Sequence, residues 1–567
     1  MAQKKWKINI LPNETLISEL SKAINVNTWL SCLLIQRGID TYEKAKLFFR
    51  PSLTQLHDPF LMKDMEKAIS RINEAILKNE KILIYGDYDV DGTTSVALVY
   101  GFLKQFYSNI IFYIPDRYAE GYGISTQGID FAGNKGISLI IALDCGIKSI
   151  DKIAYANSKN IDFIICDHHN PGDKVPEAIA VLDPKQKDCK YPYKELSGCG
   201  VGFKLLQAYC ISNNIDPQLL FERIDLLVVS IGADIVPITG ENRVLAYYGL
   251  KKLNSNPLPG LQCLMGVSGF TKDLSISNVV FGLAPRINAA GRIAHAHAAV
   301  ELLLSDSVEN AIPFGKILQE HNSSRKDLDS SILQEALEII HSNPNSANLK
   351  STVLFNKNWH KGVIGIVASK CIEQFYRPTI ILTESNGYAT GSARSVDGFD
   401  VYEAICQSSE LLTQFGGHTH AAGLTMPIEN IEKFVEKFEW IVSQSITEEQ
   451  LIPKINIDLE VPLTFITQKT YNIIKQMAPF GPGNMTPVLV TRNVVDTGNA
   501  RIVGEKHLKL EITDVDKSIR IDAIAFDQGY QLENIKNTPF DICYIIEENT
   551  FNGKTSLQLQ IRDINIK

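Results

Sequence analysis

The sequence predicts an α/β protein built from several domains, and three patterns lead to this prediction. Between residues 81 and 183, short apolar runs alternate with helix-like stretches, which is typical of a parallel sheet covered by helices. From about residue 300 to 345, apolar residues recur at intervals of four, which indicates one long helix. Beyond residue 450, alternating strands indicate a small antiparallel barrel or sandwich.

The 567 residues are enough for three or four domains of roughly 100 to 200 residues each. We place the boundaries where the pattern changes. This gives an N-terminal segment at 1–60, a first α/β domain at 61–299, a connector helix at 300–345, a second, smaller α/β domain at 346–445 and a β domain at 446–567. No pattern assigns a role to the N-terminal segment.

The composition is that of an ordinary globular protein, with 45% apolar and 21% charged residues. The formal net charge of −8 excludes a generally basic surface, so a polyanionic substrate has to be held by a local basic groove or by metal ions. The ten cysteines include no CxxC pair, which indicates reduced thiols rather than disulfides or a zinc knuckle. Because we find neither a signal peptide nor a run of about 18 apolar residues, we expect a cytoplasmic protein that does not contact a membrane.

Five runs should form the parallel sheet, and each is apolar throughout rather than alternating, so both faces of the strands should be buried. Ligand sites in open α/β sheets gather at the carboxyl ends of the strands, which makes the residues after each run the candidates for chemistry. The runs are KILIYG at 81–86, IIFYI at 110–114, SLIIAL at 138–143, IDFIIC at 161–166 and AIAVLD at 178–183.

The later elements follow from similar patterns. The connector helix is predicted from Leu328, Ile332, Ala336 and Ile340, which share one face, and Pro344 ends it. After it, STVLFN, the helical GVIGIVASKCIEQF and TIILT indicate the second α/β domain, whose loops are rich in glycine. The β domain is predicted from the alternating segments HLKLEIT, SIRIDAIAF and SLQLQIRDINI.

The strongest local signal is DYDVDG, which follows the strand KILIYG directly and precedes a helical stretch. Its carboxylates Asp87, Asp89 and Asp91 repel one another unless cations neutralise them. The spacing also opens an EF-hand calcium loop, but the bidentate glutamate of that loop would fall on Leu98. We therefore predict a site for a hard divalent metal.

Three further predicted strand ends carry matching side chains: Asp144, the pair His168 and His169 after Asp167, and Asp234 after LLVVSIGA. Any one of these alone would be an ordinary cap or turn residue, but together they should converge on one crevice. Carboxylates with imidazole suit Mn²⁺ and also Mg²⁺, whereas zinc prefers thiolate or more histidine. Such a set is large enough for two metal ions, an arrangement that hydrolyses phosphoesters.

The segments DYDVDG, LDCG, DHH and GADIVP, in this order and spacing, resemble the four motifs of the DHH phosphoesterase superfamily, and in particular its single-strand-specific DNA exonucleases. The resemblance covers nearly everything after about residue 60. It continues through LSGCGVGFKL at 196–205, LAPRINAAGRI at 283–293, WHKGVIGIVASK at 359–370, GSARS at 391–395, GGHTHAAG at 416–423 and PFGPGNMTP at 479–487.

The resemblance implies a role for each matching residue. His169 would face the scissile phosphate, Asp87 would orient ligands, and Asp144 would bridge the two ions. The implied metal ligands are Asp89, Asp91, Asp144, His168 and Asp234. The implied contacts for the DNA end are Arg117, Arg286, Ser392, Arg394, Gly417 and His418, of which Ser392 and Arg394 are expected in a glycine-rich loop.

The same resemblance implies a fold and an activity. The two α/β domains would be a DHH domain and a DHH-associated domain, and the β domain would be OB-like. The activity would be a metal-dependent 5′-to-3′ exonuclease that degrades single-stranded DNA to 5′-mononucleotides, in recombination and repair. Its expected partners are single-stranded DNA, single-stranded-DNA-binding protein and a RecQ-type helicase.

Three other interpretations are weaker. A phosphodiesterase of the same superfamily, acting on nanoRNA or cyclic dinucleotides, would share the metal site but need neither the connector nor the β domain. A catalytically inactive binding protein would have lost metal ligands, and all of the expected ligands are present. A cysteine nucleophile at Cys145 is less plausible than a buried thiol at a strand end.

Overall fold

The computed structural model describes residues 4–536, 538–551 and 553–566, and the chain divides into two compact units. The larger unit consists of Asn9–His321 together with the chain from Asp458 onward. The smaller unit consists of Asn322–Ile457 together with the beginning of the chain up to Ile8.

A five-stranded parallel sheet forms the centre of the larger unit, as the apolar runs predict. Its strands, in spatial order, are Ile110–Tyr113, Lys81–Gly86, Ile137–Leu143, Asp162–Cys166 and Ala180–Leu182. Along one strand, Ile82 and Ile84 enter the core on one face while Leu83 and Tyr85 enter the core on the other. Both faces of the sheet are therefore buried, which is the reason that the strands carry no polar alternation.

Helices cover both faces of this sheet. Thr126–Asn134 and Ile150–Ser158 pack on one face. The opposite face carries a larger group of helices: Met65–Leu77, Val90–Leu103, Gly198–Ser212, Gln218–Phe221, Ile224–Ala233, Gly240–Ser255, Pro259–Val267, Ile276–Asn278, the π-helical Val279–Leu283, Ala284–Ile293 and His297–Leu304.

One of these helices corrects a predicted strand. The run LLVVSIGA belongs to helix Ile224–Ala233, so Asp234 caps the end of a helix, and the prediction that it follows a strand is wrong. Residues from Leu226 to Ile231 are completely buried. A helix that is buried all round shows no polar face, and its sequence cannot be told from that of a buried strand by periodicity alone.

The β domain is a seven-stranded sheet that is mixed, so the prediction of a purely antiparallel arrangement is wrong. Its strands, in spatial order, are Leu459–Glu460, Leu489–Asp496, Phe540–Phe551, Lys554–Ile566, Arg520–Ala525, His507–Thr513 and Arg501–Val503. Leu459–Glu460 pairs in parallel with Leu489–Asp496, and Arg520–Ala525 pairs in parallel with Lys554–Ile566. A further antiparallel pairing joins Val495 to Thr513, and the helix Gln468–Gln476 accompanies the sheet.

The N-terminal segment, for which the sequence predicts no role, supplies part of the β domain's core. It forms the helices Glu14–Ile24, Thr28–Ile35 and Tyr42–Phe49. Leu30 and Leu33 are buried in one apolar cluster with Phe540 and Tyr544 of the β domain. Each helix begins with a side-chain cap, since Asn13, Asn27 and Thr41 accept backbone hydrogen bonds from the first turns.

The predicted connector is the helix Val308–Ser342, and the division between the two units falls within it. It begins later than the predicted residue 300, because residues 300–304 belong to the separate helix His297–Leu304. The smaller unit has a five-stranded sheet with the order Gln414–His418, Ala421–Pro427, Tyr388–Arg394, Thr379–Ser385 and Thr352–Phe355. Its helices are Ile364–Phe375, Val401–Cys406 and Ile431–Ser445. The strand Lys5–Ile8 pairs in parallel with Lys454–Ile457.

Among the described residues, none of the helices combines the length and the apolar character that a membrane span requires. All ten cysteines are free, and nine of them are buried.

We predict that Leu33→Ala destabilises the larger unit by about 2–5 kcal/mol, because it leaves a cavity in a core shared by two distant parts of the chain. Urea denaturation followed by circular dichroism measures this change. The matched control is Leu77→Ala, also on a helix, whose side chain is 87% exposed and whose truncation should cost less than about 0.5 kcal/mol. Equal losses for the two variants would contradict the shared core.

Candidate metal centre

The turn between strand Lys81–Gly86 and helix Val90–Leu103 carries the candidate carboxylates Asp87 and Asp89, and Asp91 lies in the first turn of that helix. Asp89 is the N-cap of the helix, and its Oδ1 accepts a hydrogen bond from the backbone N–H of Gly92 at 3.0 Å. An ideal Cβ on Gly92 would lie 2.3 Å from the carbonyl oxygen of Asp87, so only glycine fits at this position. The cap and the glycine together bend the chain sharply and leave the carboxylates at the sheet edge.

Asp91 is held by a second helix. Its two carboxylate oxygens accept hydrogen bonds from the backbone N–H groups of Gly198 at 2.6 Å and Cys199 at 2.8 Å, the first residues of helix Gly198–Ser212. The hydroxyl of Ser230 donates a third bond at 2.7 Å. The partial positive charge at a helix N-terminus stabilises the buried carboxylate there.

Asp144 follows strand Ile137–Leu143 in a left-handed conformation, with a φ of 60°. It is buried, and its Oδ1 has no hydrogen-bond partner among the described residues. Burial, followed by the nearby charges of Asp91 and Asp89, raises its pKa well above the usual range. A buried carboxylate oxygen without a donor is a position that a cation stabilises.

His168 lies at the centre of the cluster. Its Nε2 is 3.2 Å from Oδ1 of Asp144, 3.5 Å from Oδ2 of Asp234 and 3.7 Å from Oδ2 of Asp91. Neither ring nitrogen has a hydrogen-bond partner among the described residues, and burial is the main cause of its lowered pKa. A neutral imidazole facing three carboxylates is suited to share a metal ion with them.

Ligand atoms of Asp91, His168 and Asp234 lie within 4.8 Å of one another, and so do those of Asp144, His168 and His169. Burial, followed by the negative charge of Asp91, raises the pKa of Asp234 to about 8. These oxygen and nitrogen donors fit Mn²⁺ or Mg²⁺, which would relieve the repulsion that raises the pKa values. Asp89 belongs to neither group. Its pKa is also raised, first by burial and then by the negative charge of Asp91.

Asp87 is completely buried beneath this cluster. Its Oδ1 accepts a weak hydrogen bond from the backbone of Gly123 at 3.4 Å, and its Oδ2 has no partner among the described residues. Burial and then the charge of Asp89 raise its pKa well above the usual range.

His169 is positioned by Asp167, which the sequence analysis did not assign to the site. The Nδ1 of His169 lies 2.7 Å from Oδ1 of Asp167, and its Nε2 lies 3.2 Å from the hydroxyl of Tyr122. Burial opposes the protonation of His169, but the hydrogen bond and charge of Asp167 prevail and raise its pKa to about 9. Burial acts against the charge on Asp167 too, yet the bond from His169 leaves its pKa at about 2.

Asp167 and Tyr122 were identifiable only in part from sequence. Asp167 belongs to the DHH tripeptide, but the sequence indicates a role in the site only for the two histidines that follow it. Tyr122 lies in the segment PDRYAEGYG, where nothing distinguishes it from the adjacent tyrosine Tyr118.

The two predicted arginines of the larger unit differ in their surroundings. The guanidinium of Arg117 lies 4.9 Å from the ring centre of Tyr88, next to the metal turn. Arg286 donates from Nη1 to the carbonyl of Gly282 at 2.6 Å and from Nε to Gln319 at 2.8 Å. Its helix, Ala284–Ile293, approaches the turn through Gly291, where an added Cβ would lie 2.9 Å from the carbonyl oxygen of Tyr88.

The other four predicted contacts belong to the smaller unit and lie in strands, so the expectation of a glycine-rich loop there is wrong. Ser392 and Arg394 are in Tyr388–Arg394, and Nη1 of Arg394 donates to Oγ of Ser392 at 2.9 Å. An added Cβ on Gly365, in the first turn of helix Ile364–Phe375, would lie 2.8 Å from Nη2 of Arg394. The pair therefore lies against a helix N-terminus.

Gly417 and His418 are in strand Gln414–His418. Gly417 has a φ of 152°, and a Cβ there would lie 2.4 Å from the carbonyl oxygen of Ala421, so the strand pairing requires glycine. His418 is exposed, and its Nδ1 accepts a long hydrogen bond from the backbone of His420 at 3.4 Å. Because these strands are rich in glycine and other small residues, their sequence resembles that of a loop.

Comparisons with known proteins cover nearly the whole chain. Three family models match: the DHH family N-terminal domain at residues 81–231, the DHHA1 domain at 348–444 and the RecJ OB domain at 457–563. The single-stranded-DNA-specific exonuclease RecJ of Bacillus subtilis is 36% identical over 99% of this chain and 71% of its own length. The protein of that name from Escherichia coli is 31% identical over 88% of this chain and 90% of its own.

Solved structures agree with these matches. RecJ from Thermus thermophilus in complex with Mn²⁺ is 26% identical and superposes with a TM-score of 0.85, covering 99% of this chain and 80% of its own. The complex of that protein with Mg²⁺ gives a TM-score of 0.78, with 26% identity over 99% of this chain and 78% of its own.

We predict that Gly198→Ala weakens Mn²⁺ binding at least about tenfold, because its Cβ would lie 2.6 Å from Cβ of Asp144 and displace that side chain. Isothermal titration calorimetry measures the affinity. The matched control is Gly200→Ala in the same helix, where the nearest atom is 3.3 Å away and binding should change little. If both variants bind Mn²⁺ like the parent protein, the close approach of Gly198 to Asp144 does not shape the site.

Proposed function

Because the chain belongs to the RecJ family, we propose that it is a metal-dependent exonuclease that degrades single-stranded DNA from the 5′ end to 5′-mononucleotides, in recombination and repair. The observation that carries this proposal is the convergence of Asp91, Asp144 and Asp234 on one imidazole, His168, at the carboxyl edge of a parallel sheet. The match to the RecJ OB domain supports a polymeric single-stranded substrate.

We propose that two divalent ions, Mn²⁺ or Mg²⁺, are held by Asp89, Asp91, Asp144, His168 and Asp234. When bound, such ions lower the pKa of water and offset negative charge around phosphorus. Asp144, which lies close to His168 and has an unpartnered oxygen, is suited to contact both ions. Asp87 orients the turn from below, since it is buried behind the cluster.

His169 is proposed to stabilise the scissile phosphate. Asp167 holds its Nδ1, so the opposite nitrogen, Nε2, points away from the sheet toward the hydroxyl of Tyr122. The side chain is 42% exposed, and an incoming phosphate oxygen can reach it. A hydrogen bond aimed at a phosphoryl oxygen stabilises the charge that builds there during in-line attack.

The 5′ end of the DNA is proposed to contact Arg117 and Arg286 of the larger unit, and Ser392, Arg394, Gly417 and His418 of the smaller one. Arginine is suited to this role because its planar guanidinium can bind phosphate through two parallel hydrogen bonds. Arg394 and Ser392, which lie together against a helix N-terminus, offer donors of the kind that bind a terminal phosphate.

Single-stranded-DNA-binding protein and a RecQ-type helicase are proposed partners, and the cytoplasm is the proposed location, on the basis of family membership. The phosphodiesterase alternative, acting on nanoRNA or cyclic dinucleotides, is disfavoured. A small substrate would not use a β domain for single strands, and relatives named as single-strand-specific exonucleases match the chain almost throughout.

We predict that Asp144→Asn lowers the hydrolysis of single-stranded DNA at least about a hundredfold, because the substitution removes a ligand charge. The assay follows 5′-labelled and 3′-labelled single strands, duplex DNA and short RNA with Mn²⁺, Mg²⁺ or EDTA. The matched control, Asp188→Asn, changes a carboxylate that is 68% exposed, and activity should persist.

The expected product is mononucleotides released from the 5′ end of single strands only, with no activity in EDTA. Hydrolysis confined to di- to tetranucleotides or cyclic dinucleotides would favour the phosphodiesterase alternative. Tight binding of single strands without hydrolysis would contradict the proposal.

Among the β-domain residues whose burial is described, Phe526 and Tyr530 offer exposed rings for base stacking. Phe526 is 46% exposed and Tyr530 is 57% exposed, whereas Tyr544 is completely buried. The ring of Phe526 lies 5.2 Å from that of His507. Lys506, the residue before His507, forms an ion pair with Asp527 at 2.9 Å, so its positive charge is partly offset. Exposed rings beside basic groups are the usual platform for single strands.

We predict that Phe526→Ala and Tyr530→Ala each weaken the binding of single-stranded DNA by about 1–3 kcal/mol, the usual contribution of one stacked base. Fluorescence anisotropy in EDTA measures binding without cleavage. The control is Trp440→Ala, which removes a ring that is 62% exposed in the smaller unit. An equal loss for all three variants would contradict specific stacking on the β domain.

A further inference from the structure

A loop of the β domain, between helix Gln468–Gln476 and strand Leu489–Asp496, contacts the chain segment that follows Asp234. We call Met477–Asn484 the junction loop. The backbone N–H of Ile238 donates to the carbonyl of Pro482 at 2.7 Å. An added Cβ on Gly481 would lie 2.5 Å from Cγ1 of Ile238, so the backbone at Gly481 lies against the side chain of Ile238 and leaves no room for a side chain of its own. Only three residues separate Ile238 from Asp234.

The junction loop is itself rigid. Gly481 and Asn484 exchange two backbone hydrogen bonds, at 3.0 and 2.8 Å. The side chain of Asn484 is buried, and its Nδ2 donates to the carbonyls of Met477 and Pro479, both at 2.9 Å. A loop that is braced by several internal hydrogen bonds keeps its shape and can hold a neighbouring segment in place.

Arg243 joins the same two parts of the chain a second time. Its guanidinium donates to the carbonyls of Met477 at 2.9 Å, Ala478 at 3.0 Å and Phe48 at 3.1 Å. The side chain is buried, and its charge lies 3.7 Å from the ring centre of Phe48. A buried guanidinium that is satisfied by backbone carbonyls fixes the relative positions of the segments that supply them.

The segment between Asp234 and Ile238 is strained. Ile235 has a φ of 58°, which is rare for a β-branched residue, and its side chain is 62% exposed. Exposure means that its own side chain contributes little packing to offset the strain. Such a conformation persists only when the surroundings impose it, and the segment's contacts with the junction loop do so from Ile238 onward.

We propose that the junction loop positions Asp234, so that Gly481 and Arg243 are positioning residues for the metal centre as well as links to the β domain. The inference rests on the proposed function, in which Asp234 is a metal ligand. The strained Ile235 transmits the position of Ile238 to Asp234, because so short a segment has little freedom to absorb a displacement. A change at the loop therefore alters metal affinity.

The test is Gly481→Ala in the full chain, with the Mn²⁺ affinity measured by isothermal titration calorimetry in the absence of DNA. The added Cβ pushes Ile238 away, and we expect Mn²⁺ binding about 10- to 100-fold weaker, the usual effect of losing support around a ligand. The matched control is Gly315→Ala, whose Cβ would lie 2.7 Å from Sγ of Cys263, away from the segment. Its Mn²⁺ affinity should equal that of the parent protein.

A second substitution provides a rescue. Ile238→Ala removes the atoms that the new Cβ meets, so the double variant Gly481→Ala/Ile238→Ala should bind Mn²⁺ more tightly than Gly481→Ala alone. A merely structural role for the loop predicts instead that the folded variants bind Mn²⁺ like the parent protein and lose only free energy of unfolding. If Gly481→Ala does not fold, Arg243→Lys replaces it, because lysine keeps the charge but its single nitrogen does not reproduce the contacts that Nη1 and Nη2 of Arg243 make with Met477, Ala478 and Phe48.

Asp234→Asn separates the failure of this inference from failure of the proposed function. If Asp234→Asn leaves Mn²⁺ binding unchanged, Asp234 is not a ligand, and both the ligand set and the inference are overturned. If Asp234→Asn weakens binding while Gly481→Ala and Arg243→Lys do not, the ligand set stands and the positioning role of the junction loop is overturned.

Discussion

The gathering of carboxylates at one edge of the parallel sheet is the constraint on which the larger unit depends. Asp91, Asp144 and Asp234 all lie within 4 Å of a single imidazole nitrogen. Burial and the neighbouring carboxylates raise the pKa values of Asp144 and Asp234. The fold offsets part of this cost before any cation is present. Asp89 caps one helix, and Asp91 accepts the first N–H groups of another, so two helix N-termini face the negative charge.

Close packing around the carboxylates restricts which residues fit at the positions of the short motifs. Side chains are excluded at Gly92 by the backbone of Asp87 and at Gly198 by Asp144. Ser230, which is completely buried, reaches Asp91 from the helix that ends beside Asp234. The residues that hold the carboxylates are therefore as constrained as the carboxylates themselves, and each belongs to a segment that also has to build the core.

The sequence predicts the parallel sheet, the connector and the metal-binding turn because each depends on a local pattern. The errors arise where tertiary packing removes the pattern. The helix before Asp234 is apolar on every side, which conceals its period, and the strands that carry Arg394 and Gly417 are rich in small residues because neighbouring backbones lie close. The partner of the N-terminal helices and the role of Tyr122 depend on contacts between distant segments, which one sequence does not reveal.

The pairing of the first strand has a consequence for how the chain is made. Lys5 forms an ion pair with Glu449, 444 positions later, beside the pairing of Lys5–Ile8 with Lys454–Ile457. At about 5–20 residues per second, a ribosome needs roughly 20 to 90 seconds to supply that partner. The helices Thr28–Ile35 and Tyr42–Phe49 remain without their packing partners longer still, because the strands that pack against Leu30 and Leu33 are synthesised after Glu449. The nascent chain therefore carries an uncovered apolar surface until these strands have been made, and chaperones that bind such surfaces can shield it during that interval.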